Sequence, residues 1–187
     1  MEKAIKTILK ESIAVKQGVL ENNIAAIARI TELAIACLKK GGKIILFGNG
    51  GSAADSQHLA AELVGRFTRE RKALAAIALS CNSSNITSIG NDYDFEKVFA
   101  RQIEALGKKE DLAIGISTSG NSGNVLKAII SAKAMGMKTA CLSGKEGKLA
   151  KEVDAAVCVP STNTARIQEA HIAIGHIICE LTEKAFS

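Results

Sequence analysis

The sequence predicts an α/β fold: a three-layer sandwich around a five-stranded parallel sheet, with N-terminal helices and a long C-terminal helix. Three observations predict it. After residue 42, five short apolar runs alternate with helix-like stretches, the pattern of parallel strands covered on both faces. Before residue 41, apolar residues recur at three- and four-residue steps, the helical period. Polar clusters rich in Gly, Ser and Asn follow the apolar runs, where open parallel sheets bind ligands.

In order, Ile5, Ile8 and Leu9, then Ile27, Ile30, Ala34, Cys37 and Leu38, line one face of one or two helices. Glu21-Asn22-Asn23 is a candidate break between them, and Gly41-Gly42 ends the segment. The strands are Lys43 to Phe47, Leu74 to Leu79, Leu112 to Ile116, Thr139 to Leu142 and Ala155 to Val159. Helices are expected over Ala53 to Arg66, Asp94 to Leu106, Asn124 to Met135 and Lys148 to Val153. Ser80 to Asn85 and Gly90 to Asp94 read as polar loops, with Asp94 capping the helix after it. A long helix from Ala165 to Phe186 follows the polar run Pro160 to Thr164. With 187 residues and no linker or repeat, the chain is expected to form one domain.

Composition narrows the function. Aromatics are 3% with no Trp, which leaves few platforms for stacking single-stranded nucleic acid. The net charge of +5 suits a small anionic ligand, and the basic runs Lys39-Lys40 and Arg69 to Lys72 are short, as on a solvated face. No stretch approaches the ~20 apolar residues of a membrane span. The N-terminus alternates charge with Ile and Leu, unlike a signal peptide. Five cysteines, without C-x-x-C spacing and each in or beside an apolar stretch, read as buried free thiols. The expectation is a cytoplasmic protein without disulfides, without a cysteine-based zinc site, and without nucleic-acid or membrane partners.

Two loops fit a phosphate. Gly48-Asn49-Gly50-Gly51-Ser52-Ala53 formally matches a dinucleotide fingerprint, yet the next strand ends in Ser80-Cys81-Asn82 with no acid for a ribose. No Gly-Lys-Ser/Thr follows either, so it is not a P-loop. Ser117-Thr118-Ser119-Gly120-Asn121-Ser122-Gly123-Asn124 places four hydroxyls beside glycines, ahead of a helix whose free N–H groups face the loop.

His58 and Glu62 stand four apart on one helix face, a spacing that presents two metal ligands, a base and its partner, or a plain surface hydrogen bond. Two further histidines, His171 and His176, lie on the last helix. Gln168 and His176, eight apart, stand about 80° apart around it, and Glu169 also aligns with His176. His58, Glu62, Gln168 and His176 together would offer two imidazoles, a carboxylate and an amide oxygen, of which the first two types suit Zn²⁺.

At this point the motifs combine. Gly48 to Asp55, Gln57-His58, Ala60 to Leu63, Ile89 to Tyr93, Gly115 to Ser122 and Thr164 to Glu169, in this order, resemble the phosphoheptose isomerases of the sugar isomerase (SIS) family over nearly the whole chain. The resemblance implies a homotetramer, with active sites shared between subunits and residues 1–40 used in packing them. It implies an aldose–ketose isomerase that interconverts sedoheptulose 7-phosphate and D-glycero-D-manno-heptose 7-phosphate, feeding ADP- or GDP-heptose synthesis for surface glycans such as lipopolysaccharide. It implies one Zn²⁺ per subunit on His58, Glu62, Gln168 and His176, with Glu62 and His176 as the acid/base pair. Substrate contacts are implied at Asn49, Gly50, Gly51, Ser52, Glu62, Arg66, Asn91, Asp92, Ser117, Thr118, Ser119, Ser122 and Gln168. His171 matches a family histidine without an assigned role.

The chain departs from the family pattern at Asn82, where Asp is common, and at Gly123, where Pro is common. The family also holds members that bind a replication initiator and catalyse nothing known; intact His176, Glu62 and both loops favour the enzyme. Sugar-phosphate sensors of this family usually carry a DNA-binding domain, and none is expected in these 187 residues.

Overall fold

The computed structural model describes residues 1–145 and 147–187. Two helices open the chain, α1 (Glu2–Asn22) and α2 (Ile24–Lys39), broken at Asn23. The strands are β1 (Ile44–Gly48), β2 (Ala76–Ala78), β3 (Leu112–Ser117), β4 (Lys138–Gly144) and β5 (Ala155–Val159). The remaining helices are α3 (Gly51–Val64), α4 (Ser83–Asp92), α5 (Ala100–Leu106), α6 (Gly123–Ala134) and α7 (Thr164–Lys184). All strand pairs are parallel, in the order β2-β1-β3-β4-β5.

Strand alternation divides the interior into two cores. Ile44 and Leu46 of β1, Leu112, Ile114 and Ile116 of β3, Leu142 of β4 and Val157 of β5 face the core shared with α2, α3 and α7. Ile45, Phe47, Ala113 and Cys141 face the opposite core, filled by Val98, Phe99, Ile103 and the α6 residues Val125, Ala128 and Ile129. Both faces of the central strands are therefore apolar, which is why they read as continuous runs rather than alternating ones.

Several boundaries differ from the sequence reading. Ser80 to Asp94 is not mainly loop: Asn82 accepts a hydrogen bond from the Asn85 amide (3.1 Å) and caps α4, whose residues are all partly exposed. Only Ile86 and Ile89 of its ten residues are large and apolar, half-buried against the core, and the Ser, Asn, Thr and Asp around them read as turn chemistry. The expected helix Asp94 to Leu106 divides into a 3₁₀ turn over Phe95–Lys97, capped by Asp94, and α5. The expected helix Lys148 to Val153 is a single 3₁₀ turn, Leu149–Lys151. Of the five thiols, all free, Cys37, Cys141 and Cys179 are buried, Cys158 is half-buried, and Cys81 is exposed, contrary to expectation. No described helix is long and apolar enough to cross a membrane.

With β1 connecting to β2 on one side and β3 connecting to β4 on the other, the chain reverses direction between β1 and β3. The crevice at that switch point is where an open parallel sheet binds its ligand. The loops after β1 and β3 flank it.

Candidate functional site

The loop after β1 turns sharply at Gly50, which has φ +53° and ψ −120°. A side chain there would be strained, so glycine keeps the strand-to-helix turn short. Ser52 is buried in the first turn of α3, its amide donating to the Asn49 carbonyl (2.9 Å). The loop after β3 folds its hydroxyls together: Ser117 Oγ lies 2.9 Å from Ser122 Oγ and 3.4 Å from Ser119 Oγ. Thr118 is half-buried in the same loop. The two loops are joined by a reciprocal amide pair, in which Asn49 Nδ2 donates to Asn124 Oδ1 (2.8 Å) and Asn124 Nδ2 donates to Asn49 Oδ1 (2.9 Å). Hydroxyls, backbone amides and the N-terminal ends of α3 and α6 thus converge on the crevice. Such an arrangement can bind an anion, with helix ends in place of a lysine.

The titratable groups sit beside it. His58 and Glu62 follow each other on α3 and His176 comes from α7. His58 Nε2 is 2.9 Å from His176 Nε2, so one ring nitrogen donates to the other, and 3.3 Å from Glu62 Oε1. Nitrogen and oxygen atoms of all three residues lie within 4.8 Å of one another. Ligands about 2 Å from a common ion stand at most about 4 Å apart. The two separations through His58 already meet that limit, and two imidazoles with one carboxylate are a donor set that suits zinc.

Two glycines let the helices come this close. A Cβ on Gly175 would stand 2.5 Å from Leu59 Cδ1, and one on Gly51 would stand 2.6 Å from Gln168 Nε2. Each of the histidines therefore adjoins one half of the Leu59–Gly175 contact. Gln168 reaches the first turns of α3, where its Nε2 donates to Asp55 Oδ1 (3.3 Å). This leaves its Oε1 as the free acceptor. Asp55 is 6% exposed; burial raises its pKa, against the Gln168 hydrogen bond and the nearby histidines, which lower it.

The expected site residues are not all in one place. His58, Glu62 and His176 meet, Gln168 reaches the start of α3, and Asn49 to Ser52 adjoin Ser117 to Ser122. Asn91 and Asp92 close α4 and bond to each other, Asn91 Nδ2 to Asp92 Oδ1 at 2.9 Å, while Arg66 stands exposed just past α3. Among the described residues, none of these three side chains reaches the histidine cluster. His171 is fully buried, with its Nε2 3.1 Å from the Ser143 carbonyl, and burial pushes it down to about 4. Glu169 turns away to Arg166 and to Ser12, whose hydroxyl donates to it at 2.7 Å. Sequence reasoning placed Asp55 and Asn124 in motifs without giving them a role, and missed Phe67, whose ring lies 5.4 Å from that of His176. It also missed Gly175, although a glycine inside a long helix was a visible signal.

The SIS domain model matches residues 9–144. The chain belongs to the SIS domain family. It is 50% identical over 184 residues to a phosphoheptose isomerase of Thermodesulfovibrio yellowstonii, covering 98% of this chain and 92% of that protein. It is 52% identical over 185 residues to one of Helicobacter pylori, covering 98% and 93%. Among solved structures, a phosphoheptose isomerase from Neisseria gonorrhoeae superimposes with a TM-score of 0.92 at 41% identity, over 98% of both chains. With that solved structure the SIS chain shares its fold, a five-stranded parallel sheet with flanking helices and a long final helix.

Proposed function

We propose that this SIS chain is a phosphoheptose isomerase, interconverting sedoheptulose 7-phosphate and D-glycero-D-manno-heptose 7-phosphate through an enediol. One observation carries the reading: a cluster of two histidines and a glutamate from two helices stands beside a crevice lined by a loop of clustered hydroxyls. Aldose–ketose isomerisation needs both parts. The phosphate must be held so that the sugar's C1 and C2 fall within reach of a proton-transfer group. Ser117, Thr118, Ser119 and Ser122, with the α6 amides, would hold it, and Asn49 to Ser52 would line the sugar.

Glu62 and His176 divide the proton work. A carboxylate removes the proton at one carbon, and a histidine serves the oxygen or the return step, both suited to neutral pH. Phe67 covers one side of the His176 ring and limits its exposure to water. His58, Glu62, His176 and the free Gln168 oxygen would hold one Zn²⁺ per subunit. When bound, that ion would polarise the sugar carbonyl and stabilise negative charge on the enediolate oxygen.

What one chain leaves uncovered supports an assembly. Ile5, Ile8, Leu9, Ile13 and Leu20 of α1 are exposed, as are Ile177 and Leu181 of α7. Exposed large apolar side chains in this number on two helices suit a subunit interface. In this reading, the chain is one SIS domain whose first forty residues pack subunits into a homotetramer, and Arg66, Asn91 and Asp92 meet substrate in sites shared between subunits. The enzyme would work in the cytoplasm and supply heptose for surface glycans.

The test is incubation with sedoheptulose 7-phosphate in D₂O, followed by proton NMR with and without zinc. Aldoheptose phosphate carrying deuterium at C2 is expected. Absence of product under both conditions overturns the reading and leaves a non-catalytic binding protein. Product without deuterium would keep the isomerase and replace solvent exchange by a shielded proton.

A further inference from the structure

Glu183 lies seven residues beyond His176 on α7, on the same face about two turns away. It is fully buried. Its carboxylate accepts hydrogen bonds from the amides of Phe67 (2.9 Å), Thr68 (2.8 Å) and Arg69 (2.9 Å), and from the Thr68 hydroxyl (2.9 Å). Burial alone would raise its pKa; the amides of Thr68 and Phe67 and the Thr68 hydroxyl outweigh it and hold the group at about 2.

The Arg71 guanidinium completes the arrangement. Its Nε lies 3.4 Å from Glu183 Oε1. Its other nitrogens donate to the carbonyls of Glu62 (2.9 Å), Gly65 (2.9 Å) and Lys72 (3.1 Å). Glu62 and Gly65 are where α3 ends, so the guanidinium caps that helix.

One carboxylate on α7 therefore gathers the whole segment that leaves α3. The segment touches the histidine cluster twice, through the Phe67 ring on His176 and through Arg71 on the main chain of Glu62. A buried ion pair is weak evidence for stability alone, because apolar residues of similar volume do as well or better. A directional set of this kind specifies geometry instead.

We propose that Glu183 is a positioning residue for the His58–Glu62–His176 cluster, acting through Phe67 and Arg71. It fixes the distance between α3 and α7 where the histidines meet. The proposal rests on the metal and proton-transfer reading for what the cluster does, but the geometry is testable without it.

The experiment compares the full chain with E183Q, R71K and F67L. Circular dichroism reports folding, a chromophoric chelator reports zinc affinity, and NMR of the metal-free protein reports the His176 ring resonances. E183Q turns an amide nitrogen toward donors that need an acceptor. It is expected to fold, to shift the His176 resonances, and to lose about 10- to 100-fold in zinc affinity. Its kcat falls while KM for the sugar phosphate stays near wild type. R71K keeps the charge but cannot reach three carbonyls at once, so it shows the same changes at smaller size. A folded E183Q with wild-type zinc affinity and wild-type His176 resonances overturns the proposal. Should E183Q fail to fold, R71K and F67L decide it by the same two readouts. If the wild-type protein binds no zinc, the metal reading fails and the His176 resonances alone decide the positioning role.

Discussion

The serine loop gathers its hydroxyls within six consecutive residues, Ser117 to Ser122, whereas the histidine cluster joins side chains 118 positions apart. The loop inherits its geometry from one strand end and one helix start. The cluster depends on two helices meeting at a set distance, and therefore on every contact that sets it: Leu59 against Gly175, Gly51 against Gln168, and Glu183 under the segment after α3. A locally built site tolerates distant change, and an assembled one does not. Under the proposed function, the loop binds and the cluster reacts, so damage to each should have a different kinetic signature.

The largest expected effect is at the cluster. H176A and E62Q should each lower kcat by about 10²- to 10⁴-fold at saturating substrate, with folding intact by circular dichroism. A loss confined to KM would break the division of labour between the two regions.

The next effect is on pH stability, through His171 beneath the cluster on α7. Folded His171 stays neutral down to about 4, while the unfolded imidazole takes a proton near 6.5. The unfolded state binds more protons between these values, so stability falls as pH drops through that window, by roughly 3 kcal/mol at pH 4. Below 4.5 Glu183 adds to the loss, since its folded pKa of about 2 means its stabilisation disappears as pH falls toward that value. Denaturation at pH 7, 5 and 4 should show the first window in wild type and not in H171Q.

At the loop, S119A should raise KM for the sugar phosphate by roughly ten- to a hundredfold, the worth of a hydrogen bond to a charged group, and leave kcat nearly unchanged. G175A sharpens the contrast from the other side. Its new methyl presses on Leu59 and should cost about 1–3 kcal/mol in thermal denaturation. It should also lower kcat, although Gly175 touches no substrate. The smallest effect is at Asn82. Asn and Asp cap helices equally well, so N82D should leave the melting temperature within about 1 °C of wild type. A larger change would mean that position 82 meets ligand as well as backbone.

Much of this was legible in the chain. The core strands were visible because both their faces are buried, and both loops because glycine and serine cluster at strand ends. His58 and Glu62 were visible as a pair because helical spacing puts them on one face. What was missed shares a physical cause. α4 packs only Ile86 and Ile89 against the core amid turn-forming polar residues, and the turns at Phe95–Lys97 and Leu149–Lys151 are too short for a period to register. Asp55, Phe67, Asn124 and Glu183 matter only through partners distant in sequence.

The sequence alone determined the five parallel strands, the long helices and the identity of the chemical groups, because periodicity and turn chemistry are properties of neighbouring residues. It also carried the family pattern. The tertiary structure alone decided that His176 meets His58, that Glu169 turns to Arg166 while Gln168 faces Asp55, and that His171 is buried and neutral. The His176–His58 and Gln168–Asp55 contacts depend on how closely α3 and α7 pack, that of Glu169 on α1 as well, and the burial of His171 on β4, interfaces that no single stretch of chain contains.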